Sequence, residues 1–153
     1  MKTLICILFL LTCNAWGQDS IQKSKDSNGG LLLTPWKGWK MNGIQKAYYL
    51  DGKIRGERSF VDGKIEGTTR MYSPSGKLTA VNYYHNNFHH GTDTSFFENG
   101  NISGISSFVN GKINGRVVTF DKEGQVLNDN IYEMGKPTGI IKQYKNGKIT
   151  ESP

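Results

Sequence analysis

The chain has 153 residues, a formal charge of +6, 36% hydrophobic residues and two cysteines. That length suits a single domain, and its basic excess forms no basic helix or clustered tract, which argues against nucleic acid as a partner.

The first segment reads as an export leader. Lys2 supplies the positive end, an apolar run follows from Thr3 to Thr12, and Ala15-Trp16-Gly17 places small residues at a cleavage site, with Gln18 as the new N-terminus. The run is too short to span a bilayer as a permanent helix. Cys13 after Leu10-Leu11-Thr12 offers a lipoprotein alternative, against which Thr12 speaks. Cys6 and Cys13 both fall inside the leader, so residues 18–153 contain no cysteine. No disulfide, thiolate metal site or cysteine nucleophile is then expected, and burial and strand pairing alone must hold the fold. Losing Lys2 takes the formal charge from +6 to +5. Such an excess fits attraction to an anionic surface or polymer.

Residues 18–30 (QDSIQKSKDSNGG) are polar and read as a flexible linker. Order is expected from Leu31-Leu32-Leu33 onward, in one repeat domain spanning 31–153.

That domain carries a strict 24-residue period: Gly43, Gly67, Gly91, Gly115 and Gly139. A fixed period in this range marks a repeat architecture, in which each unit buries its apolar face against its neighbours. Five residues after each glycine stands an aromatic ring: Tyr48, Tyr72, Phe96, Phe120, Tyr144. Next come turn pairs (Asp51-Gly52, Ser75-Gly76, Asn99-Gly100, Glu123-Gly124), aliphatic residues (Ile54, Leu78, Ile102, Val126) and second aromatics (Phe60, Tyr84, Phe108, Tyr132). A second turn closes each unit at Asp62-Gly63, Asn86-Asn87, Asn110-Gly111 and Met134-Gly135. Asp-Gly and Asn-Gly accept the positive φ of a tight hairpin turn, so each unit reads as strand, turn, strand, turn. The expected fold is all-β: an elongated single antiparallel sheet of tandem 24-residue β-hairpin repeats, without disulfides. Half a unit, four full units from Gly43 to Gly139 and a final half unit make up the array. Strict alternation places Ile54, Gly56, Arg58 and Phe60, and their equivalents, on one face.

These residues resemble the bacterial variant of the MORN (membrane occupation and recognition nexus) repeat. The pattern is G-x4-aromatic, N/D-G-K-I/L, five or six residues, aromatic, then x-x-G-K-x-x-G. It is clearest in YYLDGKIRGERSFVDGKIEG and FFENGNISGISSFVNGKING and covers about residues 34–149. The resemblance implies an elongated, twisted sheet of successive hairpins. Many bacterial members carry the label of YwqK-type antitoxin, and eukaryotic relatives are associated with membrane attachment, phosphoinositide contact and scaffolding. This chain lacks their regular Y-x-G-x-W core, and its leader argues against a cytoplasmic antitoxin.

Three residue sets are candidates for binding. Lys40, Lys64, Lys112 and Lys136 recur at one position of the repeat, broken by Phe88, and two strands per unit space them roughly 10 Å apart on one edge. Such a row would track an anionic polymer or lipid headgroups, although lysine after a turn glycine also simply keeps an edge solvated. Tyr49, Tyr83 and Phe97 flank the repeat aromatics and are the rings expected on the surface, while Trp36 and Trp39 read as N-terminal capping. His85, His89 and His90 form the one conceivable metal set, with no cysteine or acidic residue among them in sequence. No nucleophile elbow, Ser-His-acid arrangement or phosphate loop appears, so neither an enzyme nor a cofactor is expected. The reading is an exported interaction module or scaffold in the envelope or outside the cell, binding another protein. The alternatives are an antitoxin-like immunity protein and a binder of anionic envelope polymer or lipid. The open edges of such a sheet would also permit a homodimer.

Overall fold

The segments between turns are short and rich in β-branched and aromatic residues, and all of them become strands. A computed structural model describes residues 19–139, 142–145 and 147–151. Residues 1–18, with both cysteines and the segment read as an export leader, lie outside the described residues.

Fifteen strands form one antiparallel sheet and no helix is present among the described residues. They are β1 (Ser20–Lys25), β2 (Leu31–Lys37), β3 (Lys40–Met41), β4 (Gly43–Tyr48), β5 (Ile54–Val61), β6 (Lys64–Tyr72), β7 (Leu78–His85) and β8 (Phe88–His89). There follow β9 (Gly91–Phe96), β10 (Ile102–Val109), β11 (Lys112–Phe120), β12 (Val126–Glu133), β13 (Lys136–Pro137), β14 (Lys142–Lys145) and β15 (Lys148–Glu151). Neighbours in sequence are neighbours in the sheet, with β3, β8 and β13 as short returns paired to β2, β7 and β12.

The repeat glycines take φ of 108°, 80°, 102°, 112° and 88° at Gly43, Gly67, Gly91, Gly115 and Gly139. These values lie in the left-handed region, where a side chain strains the backbone. The kink swings the chain from its hairpin tip into pairing with the next strand. Gly115 is also the most crowded of them: an added Cβ would stand 3.0 Å from Ser107 Cβ.

One backbone ladder with the period of the sequence laces successive units together. At the hairpin tips, Gly63, Asn87, Gly111 and Gly135 donate their N–H groups to the carbonyls of Met41, Ile65, His89 and Ile113, at 2.7–3.0 Å. Each donor thus reaches a carbonyl 22 residues earlier, in the preceding unit. Within alternate hairpins, Asn42, His90 and Thr138 also donate to the carbonyls of Pro35, Tyr83 and Ile131, seven residues earlier.

Two expectations need correction. Residues 20–25, read as a flexible linker, form β1 and pair along their whole length with β2. An edge strand needs only backbone partners, so a polar composition does not prevent it, and all six side chains stay exposed. The Asp26 carboxylate fixes the following turn by accepting from the Asn28 and Gly30 amides. The second correction concerns the faces. Ala47 pairs with Gly56 but Tyr48 pairs with Ile54, so Arg55 is an extra, bulged residue. The same shift recurs at Met71/Tyr72, between Ile102 and Gly104, and at Thr119/Phe120. Directly opposed residues share a face. Ile54, Leu78, Ile102 and Val126 therefore join Tyr48, Tyr72, Phe96 and Phe120 on one face, while Phe60, Tyr84, Phe108 and Tyr132 lie on the other.

The apolar side chains are thus split between two faces of a single layer. Only Phe60 (6% exposed) and Val118 (4%) are buried hydrophobics among the described residues, together with Thr34, Thr69 and Asn130. Polar links supplement this thin packing. Arg116 grips both Asp129 oxygens at 2.8 Å from Nε and Nη2. That hydrogen bonding holds the Asp129 carboxyl below its ordinary value of 3.8.

Two predictions follow from this architecture. Gly115→Ala destabilises the chain by about 2 kcal/mol through left-handed strain and the Ser107 clash, read as a lower urea midpoint; an unchanged midpoint contradicts it. Because the Asp129 pKa is depressed on folding, its stabilisation is present above pH 3.8 and lost as pH falls through the folded value. Asp129→Asn should therefore lower the melting temperature near neutrality but leave a shallower loss on acidification below that value.

Candidate functional site

The two long edges of the ribbon consist of turns, and the lysines on them behave differently. On one edge lie the five-residue turns 49–53, 73–77, 97–101 and 121–125. Lys53 Nζ donates to the Pro74 carbonyl at 3.0 Å, Lys77 Nζ to the Glu98 carbonyl at 2.5 Å and Asn101 Nδ2 to the Lys122 carbonyl at 2.8 Å. After three of the four turn glycines the next residue is therefore a strut to the following unit. This edge is also close to neutral, with three lysines (53, 77 and 122) and four carboxylates (Asp51, Glu98, Asp121, Glu123) in those turns. Glu98 is engaged too: hydroxyl bonds from Ser75 and Ser73, then the charge of Lys77, keep its carboxyl below its ordinary value.

The opposite edge carries the two-residue hairpin tips. Lys40, Lys64, Lys112 and Lys136 each open a return strand (β3, β6, β11, β13), and Phe88 opens β8 at the same position. All four lysines are exposed, and none is in an ion pair among the described residues. Only Lys64 has a side-chain hydrogen bond, to Asn86 Oδ1 at 2.9 Å. Lys37 adds a fifth cation, against Asp62 and Glu133 as the carboxylates of the five tips (37–40, 61–64, 85–88, 109–112 and 133–136). The tips also bear large apolar groups: Trp39 is 97% exposed and Phe88 57%. Trp39 therefore projects from its turn instead of capping the sheet. Trp36 does fulfil the N-terminal packing role, half-buried in β2 opposite Met41.

The three rings expected on the surface do not form one patch. Tyr49 is half-buried and donates its hydroxyl to the Tyr72 carbonyl at 2.7 Å, so it pins two units together. Phe97 is half-buried at the start of an edge turn. Tyr83 alone is exposed (44%), in mid-strand on β7.

The histidines do not converge, and acidic residues do reach them. His85 Nδ1 lies 2.9 Å from Glu66 Oε1, while the His89 ring stands between Asp93 (Nδ1–Oδ2, 2.5 Å) and the Tyr84 hydroxyl (2.6 Å). His89 also packs against Phe108 with ring centroids 5.1 Å apart. His90 meets the edge of His85 at 5.8 Å. Two separate acid-anchored imidazoles cross-link the central hairpins here, where the lysine row is interrupted. Among the described residues, no three His, Cys, Asp or Glu side chains gather as a metal site requires.

A depression of about 610 Å³ lies on the sheet near the N-terminal end. Arg55 and Asp26, in a 2.6 Å ion pair, line it together with Arg58, Thr69 and Met71. It is a shallow trough on an open sheet.

This arrangement defines a class: a single-layer array of β-hairpin repeats that offers extended faces and edges to its surroundings. Residues 41–62, 65–86 and 90–110 match the MORN repeat variant in three consecutive copies. The unit from Gly115 to Thr138 lies outside the match but keeps the same strands, kink and ladder. A comparison with curated proteins gave no match.

The contrast between the edges predicts opposite effects of one substitution. Lys77→Met removes a strut and should lower the melting temperature by roughly 3 °C. Lys112→Met, at the equally G-K position of the other edge, should leave it unchanged within error. Equal effects in thermal melts would contradict the distinction.

Proposed function

We propose that the chain, exported after loss of residues 1–17, is a non-enzymatic interaction module that binds another protein in the cell envelope or outside the cell. The observation that carries this reading is the single layer. A sheet domain ordinarily covers its apolar face with a second layer, whereas here Ile44, Tyr83 and Ile131 remain exposed in mid-strand. The register aligns them in one row on the same face, with Ser59, Thr68, Thr92, Ser107 and Arg116 between them. A long, half-apolar face of this kind suits a partner that covers several units at once. Among the described residues no strand pairs with the outer sides of β1 and β15, which suits strand addition by a partner or by a second copy.

The test is capture from envelope extract of the native host with residues 18–153, beside a Tyr83→Asp/Ile131→Asp variant. One dominant protein should survive a high-salt wash on the parent chain and be lost from the variant. Retention by both, or by neither, would contradict binding through this face. If the captured protein is a toxin whose activity the chain blocks, the module is an immunity protein acting on toxins met outside the cytoplasm.

A further inference from the structure

The hairpin-tip edge has a charge pattern that the fold does not use. Identical G-K positions on the opposite edge spend their ammonium groups on carbonyls of the next unit. At the tips the equivalent work is done by backbone amides, since Gly63, Asn87, Gly111 and Gly135 already bond the preceding unit. Lys40, Lys112 and Lys136 therefore hold no side-chain hydrogen bond or ion pair among the described residues, and their ammonium groups are free for a ligand. Carboxylates offset them only in part: the five tips set five lysines against Asp62 and Glu133, and Glu66 reaches the edge beside Lys64, where it accepts from the Asn86 amide.

The geometry of the free cations is one-dimensional. Adjacent positions are one unit apart, roughly 10 Å, so the row from position 40 to position 136 runs roughly 40 Å along a single edge. A line of charge at regular spacing complements a linear polyanion, which meets every site in turn and gains from their linkage. The ring in the row narrows the choice of polymer. Phe88 lies over the neighbouring tip: a Cβ added at Gly111 would stand 3.2 Å from its Cδ1. The side chain is thus laid along the edge and does not project as a wedge toward a bilayer. A ring in that posture, more than half exposed and flanked by cations, is a platform for the apolar face of a sugar. Trp39, between Lys37 and Lys40, offers a second ring at the end of the same row.

We propose that the hairpin-tip edge binds a linear acidic polysaccharide, pairing its anionic groups with Lys40, Lys64, Lys112 and Lys136 and stacking a sugar ring on Phe88. This site is separate from the sheet face assigned to a protein partner, and either can fail without the other.

The experiment measures binding of residues 18–153 to four probes over a salt series. These are polygalacturonate, neutral dextran, polyglutamate and phosphatidylglycerol vesicles. Polygalacturonate should bind, with affinity falling as salt rises; dextran should not bind, and polyglutamate should bind more weakly for lack of a sugar to stack. Lys40→Gln/Lys112→Gln/Lys136→Gln should cut polygalacturonate affinity on the order of tenfold or more and flatten its salt dependence. Phe88→Ala should weaken polygalacturonate while leaving polyglutamate and the salt slope unchanged. Lys23→Gln/Lys25→Gln/Lys122→Gln, with the same charge loss away from the edge, should retain binding. The proposal is overturned if polygalacturonate does not bind, or if the two triple variants lose affinity equally. It is also overturned if Phe88→Ala has no effect, or if vesicles bind more tightly and depend on Trp39. Thermal melts of each variant separate lost binding from lost folding.

Discussion

The rest of the molecule depends on one hydrogen bond made four times, from the amide of a hairpin tip to a carbonyl 22 residues earlier. A two-residue tip normally ends a hairpin in solvent, where its amide would bond to water. Here the left-handed glycine just past each accepting carbonyl turns the chain so that the carbonyl faces the next tip. Gly43 stands two residues after Met41, Gly67 after Ile65, Gly91 after His89 and Gly115 after Ile113. Unit length is thereby fixed, because adding or removing one residue between kink and tip would break the bond at that step.

With one edge laced by these backbone bonds and the other by side-chain struts from Lys53, Lys77 and Asn101, the sheet does not rely on a deep core. The two buried hydrophobic side chains among the described residues would be too few for an ordinary domain of this length. Stability is instead spread over neighbouring units, as expected of a quasi-one-dimensional array. The bulges at Arg55 and its equivalents move the aliphatic residues 54, 78, 102 and 126 to the face of the first aromatics, opposite the second, so each face keeps a half-buried apolar row and neither is sealed. This economy leaves large surfaces free for partners, and it separates a protein-like face from a cationic edge.

Much of this was legible in the sequence, for local reasons. A positive φ is demanded by the backbone at a single residue, and glycine answers it, so the 24-residue frame and the turn pairs could be read directly. The single antiparallel sheet follows from that frame. The aliphatic residues at 54, 78, 102 and 126 misled because they look in phase with 56, 58 and 60; a bulge changes the face without changing the spacing. Strand β1 was hidden because edge pairing selects for no side-chain pattern. The two lysine rows look alike in sequence, both following a turn glycine, and differ only in which carbonyl lies within reach. Asp93 beside His89 had a signal, four residues of separation, whereas Glu66 reaches His85 across neighbouring strands from 19 residues away.

The measurement that tests this account most directly is amide hydrogen exchange, resolved by residue, across the four hairpin tips. Gly63, Asn87, Gly111 and Gly135 should be protected to the level of mid-strand amides, while their exposed neighbours Asp62 and Asn110 exchange freely. Fast exchange at all the tip residues would mean that the tips are ordinary solvent-facing turns and that the ladder does not hold the repeats together.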